Sequence, residues 1–318
     1  MEFMAKLENP KVLKGLADAI SFLIDETYLF ASPEGMKFNA IDSSHVAMLL
    51  AWLPAAFFAD YKCTETTKIG INVMDFVKIM RRAKASDEIQ LQQAPGNPNM
   101  LWVVMKSERS KRTFKLKSKE IQGYDAKEEG LLQSFEETLK DKFTAMLCFE
   151  GEVLDEIVKD SAIISDLVKI EIDAASKTVD FSAFDESGDV NIILDTGGKG
   201  VLDSTIKANA DGIYTLYYLE NIIKIASIVD NIKIDLGNNI PMKIEGIISS
   251  PVVKNGDKAK KVEPTGAKIT YLLAPRVEDQ GEEAETAEDE AEAEKNDAAD
   301  GLEEADEIET KGTGETDG

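Results

Sequence analysis

The chain has 318 residues, which is enough for two domains of ordinary size, and 43% of them are hydrophobic, as a folded core requires. Two cysteines and one histidine argue against a His/Cys metal site, and no run of about eighteen apolar residues suggests a membrane span. Cys63 and Cys148 form no C-x-x-C pair, so we expect free thiols in a reducing cytoplasm. The N-terminus lacks the apolar segment of a signal peptide.

The formal net charge of −24 is concentrated at one end of the chain. Residues 280–318 hold seventeen acids and two lysines, a net of −15, which leaves −9 for residues 1–279. This segment has no aromatic residues and little to bury, and like charges four residues apart oppose a helix. We therefore predict a disordered acidic tail.

In chain order, the first predicted helix covers 10–24, where Leu13, Leu16, Ile20 and Leu23 recur at helical spacing. The stretch FNAIDSSHVAMLL at 38–50 then alternates as a strand, breaks, and resumes. Further helices are predicted at 73–84, 152–163 and 216–227. Short β-rich segments such as KIGINV, LWVVMK and RTFKLK lie between the helices.

The 38–50 stretch contains the chain's single histidine, His45, behind Asp42, Ser43 and Ser44. Neighbours along a strand point to opposite faces, so serine and imidazole are not set to face each other. No G-x-S-x-G motif accompanies them. We predict a strand–turn–strand corner and no catalytic triad.

The chain resembles itself at a nearly constant offset. Phe38, Ala40 and Asp42 match Phe181, Ala183 and Asp185 at 143 residues, and Leu91 matches Ile234 at the same offset. PKVLKGLADAI matches GEVLDEIVKDS at 141 residues, so Gly15 corresponds to Glu156. One offset held across distant blocks indicates a tandem duplication.

The predicted fold class is α+β, because sparse helices among many strands suit helices on one face of antiparallel sheets. We predict a first domain at 1–118, a connector at 119–142, a second domain at 143–279 and the tail at 280–318. The connector is mostly polar, and Leu131, Leu132 and Phe135 are among its few apolar residues.

The solvent-facing sides of the predicted helices carry basic residues although the chain is acidic. Such a layout suits a polyanion held through its backbone, and the lack of an aromatic platform favours a duplex. The alternative is ordinary solvated helix surface. The candidate DNA-facing residues are Lys11, Lys14, Lys78, Arg81, Arg82, Lys84, Lys159 and Lys224.

An enzyme that uses paired carboxylates such as Asp42 and Asp185 is a second hypothesis. The repeat places these two residues at equivalent corners of separate domains, and no nucleotide fingerprint occurs. GGKG at 197–200 lacks the G-x-x-x-x-G-K-[ST] spacing. We therefore predict no catalytic residues, no metal and no cofactor.

Several motifs resemble the proliferating cell nuclear antigen family of sliding clamps. They are FMAKLENPKVLKGL near the start, IDSSHVAML at 41–49, DFVKIMRRAKASDE on the second helix, NNIPMKIEG, and YLLAP at 271–275. The resemblance is collinear over about residues 1–279. It implies two tandem DNA-clamp domains per subunit and a homotrimeric ring, with sheets outside and helices lining a hole for double-stranded DNA.

The resemblance also implies binding partners and a cellular location. A clamp would act as a processivity factor for a replicative DNA polymerase. It would bind a clamp loader, a flap endonuclease and a ligase through short PIP-box peptides. It would be cytoplasmic and nucleoid-associated in an archaeon or nuclear in a eukaryote, and would not be attached to a membrane. One subunit of a heteromeric or checkpoint-type clamp is the alternative.

In the family, a hydrophobic pocket receives short helical peptides that carry an aromatic pair, which is helix-in-groove recognition. The residues of this chain that match the pocket, together with two candidate connector contacts, are Ile41, His45, Val46, Met48, Leu131, Leu132, Pro241, Leu272, Ala274, Pro275 and Val277.

The sequence departs from the family pattern at several places. The connector lacks the usual proline, and Glu156 and Gly15 stand where basic residues often line the channel. The acidic tail is not shared either; it would serve solubility, compete with DNA or attract basic partners.

The charges also suggest how a ring would close. The segment 106–119 is rich in Lys and Arg, whereas 180–195 and the start of the 152–163 helix are acidic. Oppositely charged edges favour a head-to-tail contact between copies, although unrelated surface charges are the alternative. The predicted interface residues are Arg109, Lys111, Arg112, Lys115, Asp185, Glu186 and Asp189.

Overall fold

A computed structural model describes residues 2–121, 128–249 and 266–276 of the chain. The first half of this structure contains nine strands and two α-helices. In chain order they are β1 (Phe3–Leu7), α1 (Lys11–Ser21), β2 (Glu26–Ser32), β3 (Gly35–Ile41), β4 (Ala47–Pro54), β5 (Asp60–Cys63), β6 (Thr67–Asn72), α2 (Val73–Met80), β7 (Glu88–Ala94), β8 (Asn97–Lys106) and β9 (Lys111–Lys117).

The second half repeats this order after a linking helix, α3 (Glu128–Leu139). Its elements are β10 (Ala145–Phe149), α4 (Gly151–Ile164), β11 (Leu167–Asp173), β12 (Thr178–Asp185), β13 (Gly188–Asp195), β14 (Val201–Ile206), β15 (Ala210–Thr215), α5 (Leu216–Ile222), β16 (Ile232–Leu236), β17 (Met242–Ile248) and β18 (Ala267–Leu273).

The sheets show that the two halves have one topology. The first half forms a five-stranded sheet in the order β5-β1-β7-β8-β9, and the second half contains the four-stranded sheet β13-β12-β11-β15. The remaining nine strands form one continuous sheet, β14-β10-β16-β17-β18-β4-β3-β2-β6. This sheet joins the second half's five-stranded arrangement to the first half's four-stranded one through an antiparallel β18–β4 contact.

The helices bury one apolar stripe each, as their spacing predicts. Leu13, Leu16 and Ile20 of α1 are almost fully buried, with side chains three or four positions apart on one face. Helix α2 begins after Asn72, whose side-chain oxygen accepts a hydrogen bond from the Asp75 backbone N–H at 2.9 Å. The last turn of the predicted 216–227 helix is a 3₁₀ helix, Ile223–Ser227.

The predicted α+β fold of two tandem clamp-like domains is confirmed, and so is the strand–turn–strand corner between β3 and β4. The predicted helices extend slightly too far at 10–24 and 73–84, since α1 ends at Ser21 and α2 at Met80. Helix α3 was not predicted. Val277 and the acidic tail at 280–318 lie outside the described residues, as do residues 122–127 of the connector.

Candidate functional site

The corner at residues 42–46 is organised by the carboxylate of Asp42. One oxygen, Oδ1, accepts a hydrogen bond from the Ala47 N–H at 2.6 Å, and Oδ2 accepts one from the Ser44 N–H at 3.1 Å. The His45 N–H donates to the Asp42 carbonyl at 2.9 Å, and His45 has a left-handed φ of 56°. The corner is a closed turn that leaves His45 exposed, and among the described residues no serine, threonine or cysteine side chain hydrogen-bonds to its imidazole.

Beside this corner lies a small apolar cavity of about 90 Å³. Val46 and Met48 form one wall, Leu272 and Ala274 the second, and Pro241 the third, while Phe135 of α3 closes the side. Phe135 is 38% exposed, so the cavity is open to solvent on this side. Such a cavity can take an apolar anchor from a partner.

The structure brings together most of the residues predicted for the pocket. His45, Val46, Met48, Pro241, Leu272 and Ala274 line the cavity. Ile41 pairs with Met48 on the neighbouring strand, and Leu131 is half-buried on α3, but neither lines the cavity, and nor does Pro275. The Leu132 side chain and Val277 lie outside the described part of the chain.

Phe135 was not among the predicted pocket residues, although the sequence contains a signal for it. Leu131 and Phe135 are four positions apart in a polar segment, which is the spacing of two residues on one helix face. Leu139 continues this face and is buried against Leu272. The connector therefore packs on the sheet through the helix that the sequence prediction missed.

All eight basic residues predicted to face DNA are exposed. Several are partly neutralised by acids on the helices: Lys78 lies 3.2 Å from Asp75, Arg81 lies 3.0 Å from Asp18, and Lys159 lies 2.6 Å from Asp155. Within the described chain, no ion pair engages Lys11, Lys14, Arg82 or Lys84. Lys224 of the second half forms no ion pair with a described residue either and instead donates a hydrogen bond to Oδ1 of Asn221 at 2.7 Å.

Gly15 marks the place where α1 approaches the second half. A Cβ on Gly15 would lie 2.7 Å from Cγ2 of Ile228, too close for an ordinary contact. A glycine at this position therefore allows α1 to pack against the segment that follows α5. Its counterpart in the repeat, Glu156 of α4, is exposed.

The predicted interface residues lie on or next to two strands that each lack a neighbour on one side within the described chain. Lys111 and Lys115 project outward from β9, and Arg109 lies in the turn before it. The Lys115 ammonium sits 5.1 Å from the centre of the Trp102 ring. Asp185, Glu186 and Asp189 are exposed at the β12–β13 hairpin.

Arg112 differs from the other predicted interface residues because it is engaged within its own subunit. Its guanidinium forms an ion pair with the fully buried Asp87 and donates to the Arg82 carbonyl at 3.2 Å. A buried carboxylate needs such a partner, so Arg112 neutralises Asp87 beneath β9. It is therefore less available to a neighbouring copy than Lys111 or Lys115.

The structure offers no support for the enzyme hypothesis at the proposed carboxylates. Asp42 is buried and hydrogen-bonded beside the nine-stranded sheet, whereas Asp185 is exposed at the end of a strand of the four-stranded sheet. Among the described residues, no group of three or more His, Cys, Asp or Glu side chains could hold a metal ion. Cys63 and Cys148 are free thiols, as predicted, and burial raises the pKa of both.

No helix in the described ranges is both long and apolar enough to cross a membrane.

Comparison with known proteins places this arrangement in a family. The family model for the N-terminal domain of proliferating cell nuclear antigen matches residues 2–128. A DNA polymerase sliding clamp from Thermococcus fumicolans is 30% identical over 281 residues, which is 88% of this chain and 100% of the relative. The chain belongs to the DNA polymerase sliding clamp family.

Other sliding clamps agree with this assignment. The one from Pyrococcus furiosus is 29% identical over 279 residues, 88% of this chain and all of that protein. The crystal structure of PCNA from Thermococcus kodakaraensis has the same fold, with a TM-score of 0.68 and 22% identity over 86% of this chain and all of that one. The resemblance of the motifs to a sliding clamp is thereby confirmed.

Proposed function

We propose that this chain is one subunit of a ring-shaped sliding clamp that encircles double-stranded DNA and tethers DNA polymerase to it. One observation carries the proposal: the β18–β4 contact joins two halves of the same topology, while β9 and β13, the counterparts of those strands, have no partner on that side within the described residues. A contact that is heterologous and repeated closes into a ring when its rotation allows.

The internal repeat supplies the register of this second contact. Ala40 matches Ala183 in the repeat. Ala40 pairs with Leu49 on β4, and Ala183 pairs with Val190 on β13. Leu49 and Val190 are therefore equivalent.

The same reasoning applies to the other edge. Leu91 pairs with Val103, which pairs with Phe114 on the next strand. Its match Ile234 pairs with Ile244, which pairs with Tyr271. Phe114 and Tyr271 are therefore equivalent.

In the internal contact Tyr271 pairs with Leu49, so Phe114 of one copy should pair with Val190 of the next. One step further, the pair Leu272–Met48 predicts Lys115 opposite Asp189. Inward-facing apolar residues would thus meet apolar residues, and a base would meet an acid on the outside. This register supports a head-to-tail homotrimer with six clamp domains.

The exposed bases on α1, α2 and α4, on the segment after α2 and on the 3₁₀ helix after α5 support the DNA proposal. A helix-lined surface without base-reading contacts holds the phosphate backbone independently of sequence, so a closed ring can slide. The ring topology, more than affinity, would keep the clamp on DNA.

The apolar cavity at Met48 and Leu272 supports the role in tethering. A short helical peptide with an aromatic pair would insert its anchors there, as in other helix-in-groove complexes. We propose that the polymerase, the clamp loader, a flap endonuclease and a ligase compete for this one site per subunit. His45, at the rim, would make a polar contact with the peptide.

Light scattering on the purified full chain, followed by a polymerase assay, tests the proposal. We expect a trimer that stimulates long synthesis on primed circular DNA and is lost from linear DNA whose ends are free. A stable monomer that stimulates only after other clamp subunits are added would favour the heteromeric alternative. A trimer that leaves synthesis unchanged on both templates would contradict the clamp function.

A further inference from the structure

The corner at residues 42–46 is held from outside as well as from within. Besides its backbone donors, Asp42 Oδ2 accepts a hydrogen bond at 2.8 Å from the phenol of Tyr218, 176 residues away in the sequence. No basic side chain in the described ranges forms an ion pair with this 7% exposed carboxylate. Its charge is therefore stabilised by hydrogen bonds, which are strong when the acceptor is ionised.

Tyr218 belongs to the second half, in the first turns of α5, whereas the corner belongs to the first half. The ring of Tyr218 packs partly against the common core, which restricts its motion. The hydrogen bond therefore ties the corner to a rigid element of the other half, at the same internal junction that forms the apolar cavity.

The segment Asp211–Tyr218 also forms hydrogen bonds close to the other two walls of the cavity. The carbonyl of Ile213 accepts a backbone hydrogen bond at 2.7 Å from the N–H of Arg276, two residues after Ala274. The Tyr214 hydroxyl donates to the Ile240 carbonyl at 3.2 Å, immediately before Pro241. Residues 213, 214 and 218 thus form hydrogen bonds to the chain close to all three walls.

We propose that Tyr218 is a positioning residue of the partner pocket, which fixes the 42–46 corner before a peptide arrives. The inference rests on the proposed peptide-binding function and adds a residue that does not line the cavity. His45 and Val46 occupy an ordered turn with a left-handed residue, so a loosened corner would have to be ordered during binding. A preset corner removes that cost.

The test compares Tyr218→Phe with Tyr217→Phe in the full trimer. Tyr217 is the adjacent residue, 57% exposed, with its ring centre 5.3 Å from that of Tyr218. The probe is a synthetic helical peptide with a glutamine and an aromatic pair, measured by calorimetry. We expect Tyr218→Phe to weaken binding about three- to tenfold, the size of the effect of losing an ordinary hydrogen bond, and Tyr217→Phe to leave it unchanged.

A second readout separates positioning from general packing. The chain has one histidine, so the imidazole NMR signals of His45 report on the corner without ambiguity. They should shift or broaden in Tyr218→Phe without peptide, and stay as in the parent in Tyr217→Phe. Thermal unfolding and light scattering confirm that both variants remain folded trimers.

Several results would overturn the inference. They are equal peptide affinity in the parent and Tyr218→Phe, equal weakening by both variants, or an unchanged His45 spectrum in Tyr218→Phe. If the parent itself bound no peptide, the proposed pocket function would fail. The His45 spectrum would then still decide whether Tyr218 holds the corner.

Discussion

The described chain contains one complete strand junction, between β18 and β4. It also contains two strand edges, β9 and β13, that would form a second junction between copies. In the complete junction, β18 against β4, the pair Leu272–Met48 is apolar and lines the cavity. At the free edges the equivalent residues are Lys115 and Asp189, which are exposed. The same backbone arrangement therefore presents apolar residues where the chain is continuous and charges where a second copy would join.

This difference explains why one copy would carry one pocket. Only the internal junction has apolar residues at both positions, so a peptide anchor has nowhere to insert at the charged counterpart. The helices follow the same rule. Gly15 lets α1 approach Ile228 closely inside the chain, whereas its equivalent Glu156 stays exposed on α4. A charged junction between copies would also be weakened by salt more than an apolar one.

The largest expected effect comes from Phe114→Asp. Phe114 is half-buried on the inner face of β9 and should lie opposite Val190 of the next copy. Burying a carboxylate in that apolar contact costs several kcal/mol, roughly, so the ring should be lost. Light scattering should show monomers where the parent is a trimer.

The matched control is Thr113→Ala, whose side chain is exposed on the opposite face of the same strand. It should remain a trimer. If Phe114→Asp also remained one, the register transferred from the internal junction would be wrong.

Peptide affinity should change when Met48 is replaced and stay the same when its equivalent in the repeat, Asp189, is replaced. Met48→Ala should weaken the peptide by about 1 kcal/mol or more, as truncated anchors typically do, and Phe135→Ala should act in the same direction. Asp189→Ala, at the equivalent position, should leave the affinity per subunit unchanged. Calorimetry gives both the affinity and the stoichiometry, and two peptides per subunit would refute the single pocket.

A smaller effect is expected on DNA. The first half carries six of the eight exposed bases assigned to DNA, and the second half only Lys159 and Lys224. Replacing Lys14, Lys78 and Arg82 together by Ala should reduce the salt dependence of binding by about 0.9 in log–log slope per lost contact. Lys159→Ala with Lys224→Ala should reduce it less. Equal slopes in both variants and the parent would contradict the assignment.

The smallest effect is a pH dependence of stability. Burial, and then the hydrogen bond to Asp42, raise the pKa of Tyr218 from 10.0 to about 12. A raised pKa in the folded state means that this contribution is complete below pH 10 and is lost as the pH rises through about 12. The stability difference between the parent and Tyr218→Phe in urea should therefore shrink over this interval. A constant difference would argue against the hydrogen bond.

The sequence was sufficient for the parts of the fold that depend on local periodicity and on the repeat. Helices α1, α2, α4 and α5 follow from apolar spacing, and the duplicated topology from one offset. Helix α3 was missed because the apolar face formed by Leu131, Phe135 and Leu139 is short and lies in a mostly polar segment, and its stability comes from packing on the sheet.

The candidate site could be predicted only where a motif carried it. IDSSHV and YLLAP locate two walls of the cavity, but the Tyr218–Asp42 hydrogen bond joins residues 176 positions apart with no local signal. Arg112 illustrates the same limit: its charge suggested an interface, and only the folded chain shows Asp87 buried beneath it. Long-range partners follow from topology, which composition does not reveal.

A charge swap tests whether the ring junction copies the internal one with charges in place of apolar residues. Lys115→Asp and Asp189→Lys alone each place like charges opposite one another and should weaken trimer assembly about tenfold or more. The double variant restores opposite charges and should assemble like the parent in sedimentation equilibrium at low salt. Single variants that assemble normally, or a double variant that stays dissociated, would contradict the claim.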